Sequence, residues 1–223
     1  MSPVSSPALS STGELLRDAA CEDSPEALTH IYDDKVNMAV WQRTLPDQLV
    51  SSASGFAMQN TGFAFAMNVG VSRLDAVVRQ AFGGGEMEQV AQDVARVSDM
   101  FACLFDLERI GVRIEVLTRA MCPRFHVDHV PCRLVTTYTG VATEWLPHAE
   151  LNRTLLGCSG NGKSDLEVGL YKDAGQVKQL EKGHVAIMKG EKWIGNENAG
   201  LVHRSPSVPV GEPRLVVTLD VVS

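Results

Sequence analysis

His126 and Asp128 stand two residues apart in the run CPRFHVD. In an extended segment the side chains at i and i+2 point the same way, so an imidazole and a carboxylate can reach one ion while Val127 faces the opposite side. A third ligand must come from elsewhere, and His203, in GLVHRSP, can supply it across a barrel. Two imidazoles and one carboxylate on one face leave about three open positions in an octahedral sphere, which suits a non-haem Fe(II) that must also bind a cosubstrate and oxygen.

Downstream of His203 the turn-forming run 206–213 leads into a strand that begins at Arg214, so a hairpin is expected to return Arg214 beside the metal. An inward guanidinium there has a use, because its planar fork holds a carboxylate bidentately. Zinc is the rival reading: Cys122, His126, Asp128, His129 and Cys132 crowd eleven residues, and thiolate with imidazole is what a tetrahedral zinc site takes. Against it, Cys132 opens a strand after Pro131 and would have to turn inward, and Cys122 reads as a buried apolar thiol.

The neighbouring polar residues divide between site and surface. His129 would point away from Asp128 in an extended segment, which gives it a surface or supporting role, and His184 reads as a bystander. Glu144 and Trp145, in GVATEWLP, could line a substrate mouth, or Trp145 could close one end of the core. Arg124, Arg133 and Arg204 flank the ligands and could receive an anionic substrate or serve as surface charge. The glycines at 83–85 and Lys163 in CSGNGKSD lack the spacing of a phosphate loop and read as linker and polar loop.

Positioning these residues requires a β-rich framework. Short β-like runs at 112–117, 133–138, 184–188, 201–203 and 214–222 are separated by Gly and Pro turns without crossover helices, which favours an antiparallel barrel over a parallel sheet. Upstream, SPEALTHIY offers a Ser N-cap with Pro at the first helical position, and 36–41 reads as a strand. Leu74, Val77, Val78, Ala81 and Phe82 are helically spaced, and an apolar stripe over 86–108 predicts the clearest helix. The expected fold is therefore α+β: a jelly-roll, cupin-like core flanked by N-terminal helices on one outer face. Residues 1–12, rich in Ser and Pro, are expected to form a loose tail, and 13–223 a single domain whose mainly helical part, 13–110, packs on a β core, 111–223.

Composition bounds the function. The chain has 223 residues, 44% hydrophobic and 21% charged, enough for a substantial core. A net charge of -7 argues against a nucleic-acid-tracking surface. The N-terminus has no basic start followed by an apolar stretch, and no apolar run approaches the ~20 residues of a membrane helix, so a cytoplasmic protein with no membrane partner is expected. The five cysteines are scattered, so reduced thiols are expected rather than a disulfide framework.

The ordered set HxD, a distant His and an Arg eleven residues later resembles the Fe(II)- and 2-oxoglutarate-dependent oxygenase superfamily, whose fold is a double-stranded β-helix. The segments MCPRFHVDHVPCRLVTTYTGVATEWLP, EKGHVAIMKGEKW and LVHRSPSVPVGEPRLVVTLD together resemble a bacterial family of uncharacterised proteins, numbered 1826 among domains of unknown function, over about 36–220. The superfamily resemblance implies that His126, Asp128 and His203 are metal ligands, that Arg214 binds the 2-oxoglutarate carboxylate, and that Tyr138 adds a hydroxyl hydrogen bond. Read from their own positions, Glu144, Trp145 and Arg204 are the candidate substrate contacts, and the substrate is expected to be an unknown small molecule or peptide. Val216 departs from the Ser or Thr that many members place two residues after the Arg, and Thr218 lies one strand repeat further on. The alternatives are a non-catalytic protein that holds zinc or another metal, and a cupin-like enzyme that uses the metal without 2-oxoglutarate.

Overall fold

The computed structural model describes residues 16–158 and 162–222, so the tail expected at 1–12 lies outside the described residues. The first elements are strand β1 (Asp18–Glu22), a 3-10 helix at Pro25–Tyr32, and strand β2 (Val36–Trp41). Ser24 caps the 3-10 helix by accepting from the Glu26 N–H, with Pro25 at its first position, as its sequence predicts. Next come α1 (Asp47–Gln59), β3 (Ala64–Gly70), α2 (Leu74–Phe82) and α3 (Glu88–Leu104). The remaining strands are β4 (Arg109–Leu117), β5 (Cys132–Thr139), β6 (Glu144–Leu146), β7 (Lys178–Gln179), β8 (Val185–Lys189), β9 (Val202–Arg204) and β10 (Arg214–Val221).

These strands form two sheets. The larger has the order β1-β2-β8-β5-β10-β4-β3 and the smaller β7-β6-β9. A reciprocal backbone bridge between His126 and His203 adds the segment before β5 to the free side of β9. From β4 onward the chain therefore alternates between sheets: β4 large, the His126 segment small, β5 large, β6 and β7 small, β8 large, β9 small, β10 large. This interleaving is a jelly roll, the double-stranded β-helix.

The helices cover the far face of the large sheet. In β4 the residues Ile110, Val112, Ile114 and Val116 are buried in the same apolar cluster as Val90, Val94, Val97 and Phe101 of α3 and Leu74, Val78 and Phe82 of α2. The intervening Arg113, Glu115 and Leu117 face the other way, into the space between the sheets. Every even position of β10 from Arg214 to Thr218 does the same, while Leu215, Val217 and Leu219 join the helix-side core.

Residues 16–110 carry the α-helices and also supply β1, β2 and β3, three of the seven strands of the large sheet. One expectation is corrected. The turn after His203 is not a hairpin, since β9 lies in the small sheet and β10 in the large one. The run 206–213 crosses between the sheets instead, which places Arg214 opposite His203 rather than next to it.

Candidate metal centre

His126, Asp128 and His203 converge, with one ligand atom of each within 4.8 Å of the others. The two histidines form a directly opposed backbone pair, each donating its N–H to the other's carbonyl at 3.0 Å, and their rings lie 4.7 Å apart. Asp128 sits two residues on, with Oδ1 3.7 Å from His126 Nε2 and Oδ2 3.3 Å from His203 Nε2. Its segment packs so closely on Gly190 that a Cβ there would lie 2.6 Å from the Asp128 carbonyl, so only glycine admits this approach.

The tautomers follow from the hydrogen bonds. His126 Nδ1 faces the Arg124 carbonyl at 3.0 Å and His203 Nδ1 the Leu201 carbonyl at 3.2 Å. A carbonyl can only accept, so each Nδ1 carries the proton and each Nε2 presents its lone pair to Asp128. Lone pairs facing carboxylate oxygens repel unless a proton or a cation lies between them. The Asp128 Oδ2 is moreover buried without a hydrogen-bond partner. An orphaned oxygen, two imidazole lone pairs and mixed N/O donors together fit a divalent ion of intermediate softness.

The electrostatics agree. The Asp128 carboxylate beside His126 raises that imidazole above its ordinary range. Burial alone would raise Asp128, but the two histidines and Arg133 outweigh it and hold the carboxyl well below the usual range. Arg133 donates to Asp128 Oδ1 at 2.9 Å and grips Asp220 with its other nitrogens. No cysteine joins the cluster among the described residues. Cys122 is exposed at the pocket edge, and Cys132 belongs to the helix-side core, where burial pushes its thiol up to about 12. Zinc held through these thiols, the disfavoured rival, finds no support among the described residues, and the expectation that Cys122 is a buried thiol is corrected.

Beside the triad a pocket runs between the sheets to Arg214. Arg214 is 3% exposed, and its Nη2 donates to Thr143 at 2.8 Å and Thr137 at 3.2 Å, while Nη1 donates to Ser205 at 3.2 Å. Its Nε is buried without a partner, and burial pushes its pKa down to about 10, with Glu115 alone pulling the other way. Gly140, at φ +80, lets the β5–β6 turn press on this residue, since a Cβ there would lie 2.8 Å from the Arg214 Cα.

Tyr138 is a correction. It points into the helix-side core, fully buried, and its hydroxyl donates to Asp93 at 2.7 Å, because one residue after the pocket-facing Thr137 a strand turns its side chain to the other face. Arg204 reaches the pocket edge, but its charge is matched by Glu144 at 2.5 Å and its guanidinium lies 4.3 Å over Phe125. Trp145 packs with the apolar cluster between the sheets rather than at the mouth. His129 pairs with Glu191 on the surface, as expected. Sequence reasoning missed Thr137, Thr143 and Ser205 as partners of Arg214. Only the alternation of β5 signalled Thr137.

Fold and site together define a jelly-roll protein with a two-histidine, one-carboxylate metal centre beside a buried arginine. A model of the family described as "Protein of unknown function (DUF1826)" matches residues 22–220, and the chain belongs to that family. No curated protein matches the sequence. Among solved structures the chain is similar to HygX from Streptomyces hygroscopicus with iron bound, at 9% identity and TM-score 0.47, covering 88% of this chain and 86% of that one. It is also similar to a dioxygenase for auxin oxidation in rice, at 12% identity and TM-score 0.45, covering 93% of this chain and 83% of that one. A Pseudomonas putida prolyl-4-hydroxylase gives 10% identity and TM-score 0.43, covering 87% of this chain and 95% of that one. The strand order, not these likenesses, defines the fold.

Proposed function

We propose that the chain is a non-haem Fe(II)- and 2-oxoglutarate-dependent oxygenase that hydroxylates or otherwise oxidises a small-molecule or peptide substrate. The observation that carries this reading is Arg214: a buried guanidinium with an orphaned Nε and, among the described residues, no carboxylate within ion-pair distance, in the same pocket as the triad. A buried charge is costly unless paired, so a site that keeps one is built for an anion.

His126, Asp128 and His203 hold the ion in this reading, and Arg133 fixes the carboxylate's orientation. Arg214, with the hydroxyls of Thr137, Thr143 and Ser205 set around it, receives the far carboxylate of 2-oxoglutarate. Leu117, Val135, Met188 and Val216 make the walls between these poles apolar, which keeps water from the reacting centre. Bound Fe(II) supplies the redox chemistry by which O2 oxidises 2-oxoglutarate to succinate and CO2, one oxygen atom entering the succinate and the other a substrate C–H bond. A closed zinc site would need a fourth protein ligand, and the cluster offers three among the described residues.

The test is anaerobic. Purified protein with Fe(II) and 2-oxoglutarate is expected to develop a visible charge-transfer band and to form succinate on admission of air. Absence of both overturns the reading.

A further inference from the structure

Four arginines line the pocket, and they are not equivalent. Arg133 is paired with Asp128 and Asp220, Arg204 with Glu144, and Arg214 is set among hydroxyls. Arg113 stands apart. It lies on the pocket side of β4, two residues before Glu115, and neither side chain has a hydrogen bond or an ion pair within 4.0 Å among the described residues. A cation and an anion thus face one space side by side without closing on each other.

The register shows where this pair sits. Arg113 is directly opposite Thr218 and Glu115 directly opposite Val216 on β10. Thr218 presents a buried hydroxyl without a partner to the same pocket. On the other flank, Arg113 pairs with Ala66 and Glu115 with Ala64 of β3, both small and exposed. Side chains opposed across a ladder share a face, so the two charges are walled on one side by the pocket and open to solvent over two alanines on the other. Along a strand, i and i+2 are about 7 Å apart. That spacing suits a ligand whose own opposite charges are separated by one carbon, each making its own charge-assisted hydrogen bond.

Resting on the oxygenase reading, we propose that Arg113 and Glu115 form the substrate subsite and that it takes a free α-amino acid, the carboxylate on Arg113 and the ammonium on Glu115. Burial raises the Glu115 carboxyl above its ordinary range against the Coulombic pull of Arg113, Arg133 and Arg214, and none of the three hydrogen-bonds it or pairs with it within 4.0 Å among the described residues, so an incoming ammonium can take that contact. A diacid would meet Glu115 with like charge, and a simple amine would leave Arg113 unanswered. The substrate enters over Ala64 and Ala66.

The experiment uses the full chain loaded with Fe(II), with succinate formation in air as one readout and ligand-observed NMR binding as another. The proteinogenic amino acids are compared with their N-acetyl derivatives, their carboxamides and dicarboxylates lacking an amine. At least one free amino acid is expected to bind and to raise succinate above the level without added substrate, and its N-acetyl and carboxamide forms to do neither. Arg113→Gln and Glu115→Gln are each expected to raise the KM for that amino acid about tenfold or more, with a smaller change in kcat. Stimulation by blocked forms or by dicarboxylates overturns the proposal, as does silence of every free amino acid in the NMR arm. Failure to bind 2-oxoglutarate sinks the oxygenase reading separately, since the NMR arm still decides the zwitterion subsite.

Discussion

Arg133 ties Asp128 to Asp220: Nη1 donates to Asp128 Oδ1 at 2.9 Å, and Nε and Nη2 donate to the two Asp220 oxygens at 2.7 and 2.9 Å. Asp220 lies opposite Arg133 in the β5–β10 ladder and offsets its charge, so Arg133 orients the ligand carboxylate without competing for it. Loss of such an outer partner typically costs about 10–100-fold in metal affinity. Arg133→Leu is therefore expected to weaken Fe(II) or Mn(II) binding by about that factor in a calorimetric titration. Unchanged affinity would remove Arg133 from the metal site.

Arg214→Met separates metal from cosubstrate. Metal content stays at the wild-type level, while 2-oxoglutarate binding to the Fe(II) protein weakens about 100-fold or more, because a buried charge pair has lost one member. The ligand-free variant is expected to melt higher than wild type, since an uncompensated buried charge has been replaced by an apolar chain of similar length. A lower melting point would mean that the three hydroxyl contacts matter more than the charge.

Tyr138→Phe tests the corrected residue. Its hydroxyl serves Asp93, so the variant should lose about 1–3 kcal/mol of stability in urea denaturation and bind 2-oxoglutarate as wild type does. Weakened cosubstrate binding in a variant that remains folded would restore Tyr138 to the pocket.

Asp93 makes stability depend on acid. Burial would raise its carboxyl, but the bidentate Arg43, with Tyr138 and Arg96, holds it below the ordinary 3.8. A depressed carboxyl contributes stability that is complete above its unfolded pKa and is lost as pH falls through its folded one. Wild type is thus expected to lose stability below about pH 4, and Asp93→Asn to be destabilised by about 3–5 kcal/mol near neutrality with a flatter acid limb. Parallel acid limbs in the two proteins would contradict this.

Much of the site was legible because its signals are local. The i, i+2 spacing of His126 and Asp128 and the alternation of β5 and β10 are properties of a few adjacent residues. The α2 and α3 helices were legible from apolar stripes, and α2 spans Leu74–Phe82 as the spacing predicts. By contrast α1 buries Leu49, Ala53 and Ala57, a stripe mostly of alanine within a Ser- and Gly-containing segment, and carries little periodic signal. β3, AFAMNVG, has only one β-branched residue and was equally silent. Arg214 was expected in the right pocket by the wrong route, because whether a turn folds back or crosses between sheets depends on partners distant in sequence. Tyr138 was misplaced because its implied role came from a resemblance, whereas the alternation of its own strand assigns it to the other face.

The alternation of β10 also constrains how such a chain can change over time. One face of this strand carries Arg214 and Thr218 and the other Leu215, Val217 and Leu219. Loss of a single residue within it would exchange the two sets, lining the pocket between the sheets with aliphatic chains and driving a guanidinium among the helices. Substitution can tune this strand one position at a time. A shift in reading along it would erase chemistry and core together, so a change of length is tolerated better in the crossing at 206–213, outside the ladder, than within the strand.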